Sequence, residues 1–158
     1  MIVRELRPED AARCDEIVAS LPEWFGLDEG IREAADAVRH QRGLVYEREG
    51  TVFGFLTYEP RATESAEITW IAVHPEARGG GVGTALLEVL TTRLVREGKR
   101  LLFVKTLSDR QDPGPEYAAT RAFYLGRGFV PAAELDLDPP DPENPIQLMV
   151  LALSRLAF

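Results

Sequence analysis

Cysteine occurs once, at Cys14, and histidine only twice. A lone thiol excludes an internal disulfide and fits a reducing compartment, so the expected location is cytoplasmic. Cys14 lies in a helical-looking stretch and reads as a buried structural thiol. Two histidines and one cysteine, far apart, make no ligand constellation, and no metal is expected. Long apolar runs are missing: nothing approaches the ~18 residues that cross a bilayer. The opening MIVRELRPED turns charged at once, unlike a leader peptide. Positive charge is in the minority, with 18 Lys and Arg against 26 Asp and Glu and a net charge of −8. A nucleic-acid surface needs clustered cations, so neither nucleic acid nor membrane is an expected partner. An acidic chain does permit a small cationic ligand. There is no internal repeat and no long linker, and 158 residues that are 45% apolar suit one α/β domain over 1–158.

What is there alternates between strand and helix signals. IVREL at 2–6 reads as a strand, and Pro8 opens a helix over PEDAARCDEIVASL with acids in its first turn. PEWFG at 22–26 breaks it, and DEGIREAADAVRHQ from Asp28 is a second amphipathic helix. GLVYERE, TVFGFLTYEP and AEITWIAVHP are strands, with turns at Gly50 and in RATES. A third helix runs over Val82–Glu97, with apolar positions 82, 86, 89, 90 and 94 and a closing glycine at Gly98. RLLFVKTL is a strand, PEYAATRAFYLGRG a helix ending at Gly126 or Gly128, and FVPAAELDL a strand. DPPDPENP is a proline-rich surface connection, and IQLMVLAL a closing strand. The order is β-α-α-β-β-β-α-β-α-β-β, a mixed sheet of about seven strands with about four helices.

The segment HPEARGGGVGTALLEVL stands out, because four glycines gather where a helix should start. Glycine inside a helix costs roughly 0.5–1 kcal/mol against alanine, so the cluster needs a reason. A helix N-terminus presents free N–H groups and a partial positive charge. Glycines let an anion reach those amides, and Arg78 adds a positive charge. RGGGVG therefore reads as a phosphate cradle. No Lys follows Gly83 or Thr84, so it is not a nucleoside-triphosphate loop. Neither Gly79 nor Gly81 starts G-x-G-x-x-G, so it is not a dinucleotide fingerprint.

The remaining pattern, [RQ]-x-x-G-x-[GA], is matched by Arg78, Gly81 and Gly83. Together with TWIAV before the loop and RAFYLGRGF after the next strand, it resembles the GNAT superfamily of N-acetyltransferases over nearly the whole chain. The resemblance implies acetyl-coenzyme A as cosubstrate. Its pyrophosphate would lie on Arg78, Gly79, Gly80, Gly81, Val82, Gly83 and Thr84. Its pantetheine arm would lie along Ile71, Ala72 and Val73, in a gap between splayed strands Glu67–Val73 and Arg100–Leu107. One amide there, that of Val73, would polarise the thioester carbonyl.

The implied reaction is direct acetyl transfer to a primary amine. Neutralising a lysine-like amine at pH 7 costs about 4–5 kcal/mol, so a carboxylate near the site is useful. Glu67 is the candidate base: AEITWIAV resembles the strand of the histone-acetylating branch that carries it, eleven positions before Arg78 as there. The position used by the ribosomal-protein-acetylating branch is Val104 here, which cannot serve. Tyr124 matches the family's tyrosine near the leaving sulfur. Many members carry Asn seven residues earlier, where this chain has Tyr117, and SDRQDPGPE before it is longer than usual. Trp24 and Phe25 lie in the family's acceptor region and are candidate substrate contacts, with Glu23, Asp28 and Glu29 placed to attract an ammonium. The acceptor is expected to be a small cationic amine, and the resemblance allows a homodimer. His74 reads as a loop residue. The alternative function is a non-catalytic acetyl-coenzyme A sensor.

Overall fold

The structure is a computed structural model that describes residues 1–25, 28–108, 114–135 and 145–154. The expected order of elements is observed: β1 (Ile2–Glu5), α1 (Ala11–Ala19), α2 (Asp28–His40), β2 (Arg42–Arg48), β3 (Thr51–Ala62), β4 (Ser65–Val73), α3 (Val82–Arg96), β5 (Leu101–Leu107), α4 (Pro115–Leu125), β6 (Val130–Leu135) and β7 (Ile146–Ala152). Pro8–Asp10 forms a short 3-10 turn rather than the first turn of α1. There the Asp10 carboxylate is taken by the Arg7 amide at 2.8 Å and by both terminal nitrogens of Arg4 at 2.9 Å. Most of the proline-rich stretch, the end of the strand before it, and residues 109–113 lie outside the described residues.

One mixed sheet carries everything, in the order β1-β2-β3-β4-β5-β7-β6. Only β4 and β5 pair in parallel; the other neighbours are antiparallel. Parallel neighbours need a crossover, and α3 provides it. Its stripe Val82, Leu86, Leu90 and Leu94 is buried against one face of the sheet, on Ile68, Leu102 and Val104. Each such side chain contributes about 1.5–3 kcal/mol on burial. The opposite face holds α1 and α2, whose Cys14, Ile17, Ala34 and Val38 pack on Val45, Phe55 and Ala72. Cys14 is fully buried, and burial pushes its thiol up to about 12, consistent with packing rather than chemistry. Among the described residues no helix is long and apolar enough to cross a membrane.

Candidate active site

The geometry begins with one extra residue. Thr57 faces Trp70 while Tyr58 faces Ile68, so Thr69 has no partner opposite and β4 bulges there. A bulge adds local twist and bends its strand. The β4–β5 ladder stops at the same level: it runs only from Ser65–Leu101 to Ile68–Val104. Beyond it β4 continues to Val73 and β5 to Leu107 without pairing to each other, and a wedge opens between them. The His74 amide bonds to Phe53 O on the β3 side. Alternation then turns the Ile71 and Val73 amides the other way, into the wedge. An extended, amide-bearing chain can complete both strands there.

At the top of the wedge β4 passes through Pro75–Ala77 into α3. His74 belongs to this turn, its Nδ1 accepting from the Glu76 amide at 3.2 Å. The glycines have separate jobs. Gly79 and Gly81 have φ of 75° and 77°, a left-handed backbone that side chains resist. A Cβ on either would meet nothing within 4 Å, so open space lies over them. A Cβ on Gly83 would sit 3.1 Å from the Phe123 ring, so this glycine exists for the contact with α4. The amides of Arg78 and Gly80 are spent inside the loop, on Pro75 O and Ala77 O. Those of Gly79, Gly81, Val82, Gly83 and Thr84 have no acceptor among the described residues. Free amides, open space and the N-terminus of a 15-residue helix fit a pyrophosphate.

Glu67 lies before the bulge, beside the base of the wedge, and is only 6% exposed. Its Oε1 accepts from Arg61 Nε at 2.8 Å, and its Oε2 lies 3.6 Å from Lys105 Nζ. Arg61 also holds Glu59, directly opposite Glu67 on β3, at 2.8 Å. Beside this pair a cavity of about 350 Å³ opens between α2 and the sheet, lined by Glu33, Asp36, His40, Gln41, Glu59 and Trp70 among others. The bulged Thr69 anchors its wall: its hydroxyl donates to Gln41 Oε1 and lies 2.7 Å from Thr57 Oγ1. No Lys or Arg is among the described residues that line the cavity.

Tyr124 is 1% exposed, with Phe123 and Phe129 edge-on to its ring. Its hydroxyl makes no hydrogen bond to a described residue, and burial pushes the phenol well above its ordinary value of about 10. Trp24 and Phe25 part company. Phe25 turns into the core, 7% exposed and 5.4 Å from the Trp70 ring. Trp24 stays at the rim. Its Nε1 donates to Thr120 Oγ1 at 3.2 Å, its carbonyl accepts from the Tyr117 hydroxyl at 3.4 Å, and the Arg78 guanidinium lies 4.7 Å over its ring. The α1–α2 connection thus reaches across to α4 and to the glycine loop.

Three basic residues at the site carry no local signature. Arg61 and Lys105 meet Glu67 only because β3, β4 and β5 are neighbours. Arg127, between two glycines in GRGF, meets Thr84 across 43 positions.

Comparison with known proteins follows the same lines. A family profile described as an acetyltransferase (GNAT) domain matches residues 39–131. An amino-acid acetyltransferase of Pseudomonas putida (strain GB-1) is 33% identical over 132 residues, which are 83% of this chain and 28% of that protein. Its counterpart in Pseudomonas fluorescens (strain SBW25) is 31% identical over 133 residues, 84% of this chain and again 28% of the relative. The chain therefore spans little more than a quarter of the curated relatives it matches. In fold, it is similar to a Desulfovibrio desulfuricans protein assigned to the same family, with a TM-score of 0.84, 24% identity and coverage of 97% and 99% of the two chains. It is also similar to an aminoglycoside 6'-N-acetyltransferase complexed with coenzyme A, with a TM-score of 0.74, 15% identity and full coverage of both.

Proposed function

The chain belongs to the GNAT acetyltransferase family, and on that premise we propose that it transfers an acetyl group from acetyl-coenzyme A directly to the primary amine of a small cationic molecule. The observation that carries this reading is the wedge between β4 and β5, with the Ile71 and Val73 amides turned into it and the free amides of the glycine loop at its mouth. The residues fit the cosubstrate, which supplies the activated acetyl group when bound. Gly79, Gly81, Val82, Gly83 and Thr84 would hold the pyrophosphate by main-chain donors, with Arg78 beside them. The Val73 amide would face the thioester oxygen and stabilise the charge that develops there.

Glu67 takes the proton of the attacking amine, through water, since its oxygens already hold Arg61 and Lys105. Tyr124 stays a neutral phenol and donates a hydrogen bond to the departing sulfur; its hydroxyl, without a partner among the described residues, is free to do so. Trp24 closes the acceptor side of the wedge, and the Glu33 and Asp36 carboxylates, which no Lys or Arg of the cavity lining pairs, supply the field that draws a cation. The names of the similar proteins offer two acceptor classes, amino acids and aminoglycosides. The acidic cavity favours a polycationic amine over an anionic amino acid.

The test is thiol release from acetyl-coenzyme A with a panel of diamines, polyamines, aminoglycosides, glutamate and basic peptides. Turnover led by acceptors that carry a second cation is expected. Acetyl-coenzyme A binding without thiol release on any amine would instead leave a sensor.

A further inference from the structure

We infer that Arg127 is a second cation of the phosphate site and donates to a phosphate of acetyl-coenzyme A; this rests on the cofactor reading above. Arg127 follows α4 and is exposed, yet it is held at three points. Its Nε donates to Thr84 Oγ1 at 2.9 Å, and one terminal nitrogen donates to the same oxygen. The other terminal nitrogen donates to Phe123 O at 2.9 Å. The guanidinium carbon lies 3.9 Å over the Phe123 ring, the ring that also requires Gly83. An exposed arginine ordinarily loses much rotamer entropy when it binds. This one is already ordered.

Its position and charge give that order a use. Thr84 is the third residue of α3, inside the stretch of free amides. Arg127 forms no ion pair with a described residue, in a chain where acids outnumber bases. A guanidinium has five N–H groups, and three are used here. One N–H on each terminal nitrogen remains, and such a planar fork matches two oxygens of a phosphate. Arg78 over Trp24 and Arg127 over Phe123 flank the start of α3, each laid on an aromatic ring. Acetyl-coenzyme A carries two phosphate centres, the pyrophosphate and the 3'-phosphate, and both have the chemistry Arg127 would take.

Calorimetric titration of Arg127→Gln and Arg127→Lys with acetyl-coenzyme A, its 3'-dephospho form and acetyl-pantetheine tests this, with thermal midpoints measured alongside. Arg127→Gln should weaken acetyl-coenzyme A roughly ten- to a hundredfold, the size of lost charged hydrogen bonds, and leave acetyl-pantetheine unchanged. Arg127→Lys should recover only part of it. A loss that persists with the dephospho form places Arg127 on the pyrophosphate; a loss confined to the full cofactor places it on the 3'-phosphate. Unchanged acetyl-coenzyme A affinity, or an equal loss for all three ligands, overturns the proposal. A parent chain that binds acetyl-coenzyme A no better than acetyl-pantetheine overturns the cofactor reading itself.

Discussion

A hydroxyl that bonds to nothing in the protein adds little to stability, whatever it adds to chemistry. The Tyr124 ring is buried, but its hydroxyl has no hydrogen-bond partner among the described residues and is not sealed from solvent, so a stability measurement can tell a catalytic from a structural role. Tyr124→Phe should leave the thermal midpoint unchanged or slightly higher, while the transfer rate falls about a hundredfold, the low end for assistance by a general acid. An equal rate would return Tyr124 to the core, and differential scanning fluorimetry beside a thiol assay reads both quantities. For Glu67 the expectation concerns pH. A lysine-like amine becomes plentiful in its free form only towards pH ~10. Glu67→Gln should therefore slow transfer most near neutrality and recover part of the rate in alkali, with acetyl-coenzyme A affinity unaltered. A variant with the parent's rate–pH profile would assign the proton to water alone. Both residues are candidates from the sequence because each stands in a motif, AEITWIAV or FYLGRGF. Arg61 and Lys105 are not, because nothing local says that they will meet a carboxylate on the strand between them.

At the scale of elements, α3 and α4 approach each other closely at Gly83 and Phe123. Gly83→Val should push α4 away and cost about 1–3 kcal/mol by overpacking. Phe123→Leu should also destabilise, yet the double variant should be less damaged than the two single costs added, by at least ~0.5 kcal/mol. Additive costs in urea unfolding would mean that the two do not share the space. The sequence shows that the helix start is crowded with glycine and assigns the whole cluster to phosphate approach. The structure divides the cluster: Gly79 and Gly81 set the backbone, and Gly83 makes room for a ring on another helix. Separating them needs φ and a neighbour forty positions away, neither of which a spacing pattern contains. The bulge at Thr69 is hidden likewise, since AEITWIAV reads as one uninterrupted strand.

Over the whole molecule, Asp10 ties the first strand to the turn before α1 through Arg4 and the Arg7 amide. The Arg4 guanidinium holds its carboxyl below the ordinary carboxylate range. A depressed carboxylate stabilises the fold in full above its unfolded value of about 3.9 and loses that contribution as pH falls through its folded value. Asp10→Asn should thus cost on the order of 2 kcal/mol at pH 7, and the difference from the parent should shrink on acidification below pH ~4. A difference that is constant with pH in thermal unfolding would dissociate the loss from that charge. The order of elements and the glycine-rich start of α3 followed from the sequence alone, because periodicity, helix ends and a glycine cluster are local and the chain writes them in adjacent letters. The residue at which β4 leaves β5, the bulge at Thr69 beside it, and which cations reach Glu67 and Thr84 were decided only by the tertiary structure. Each depends on strands and helices far apart in the chain being brought side by side, and no local pattern encodes that distance.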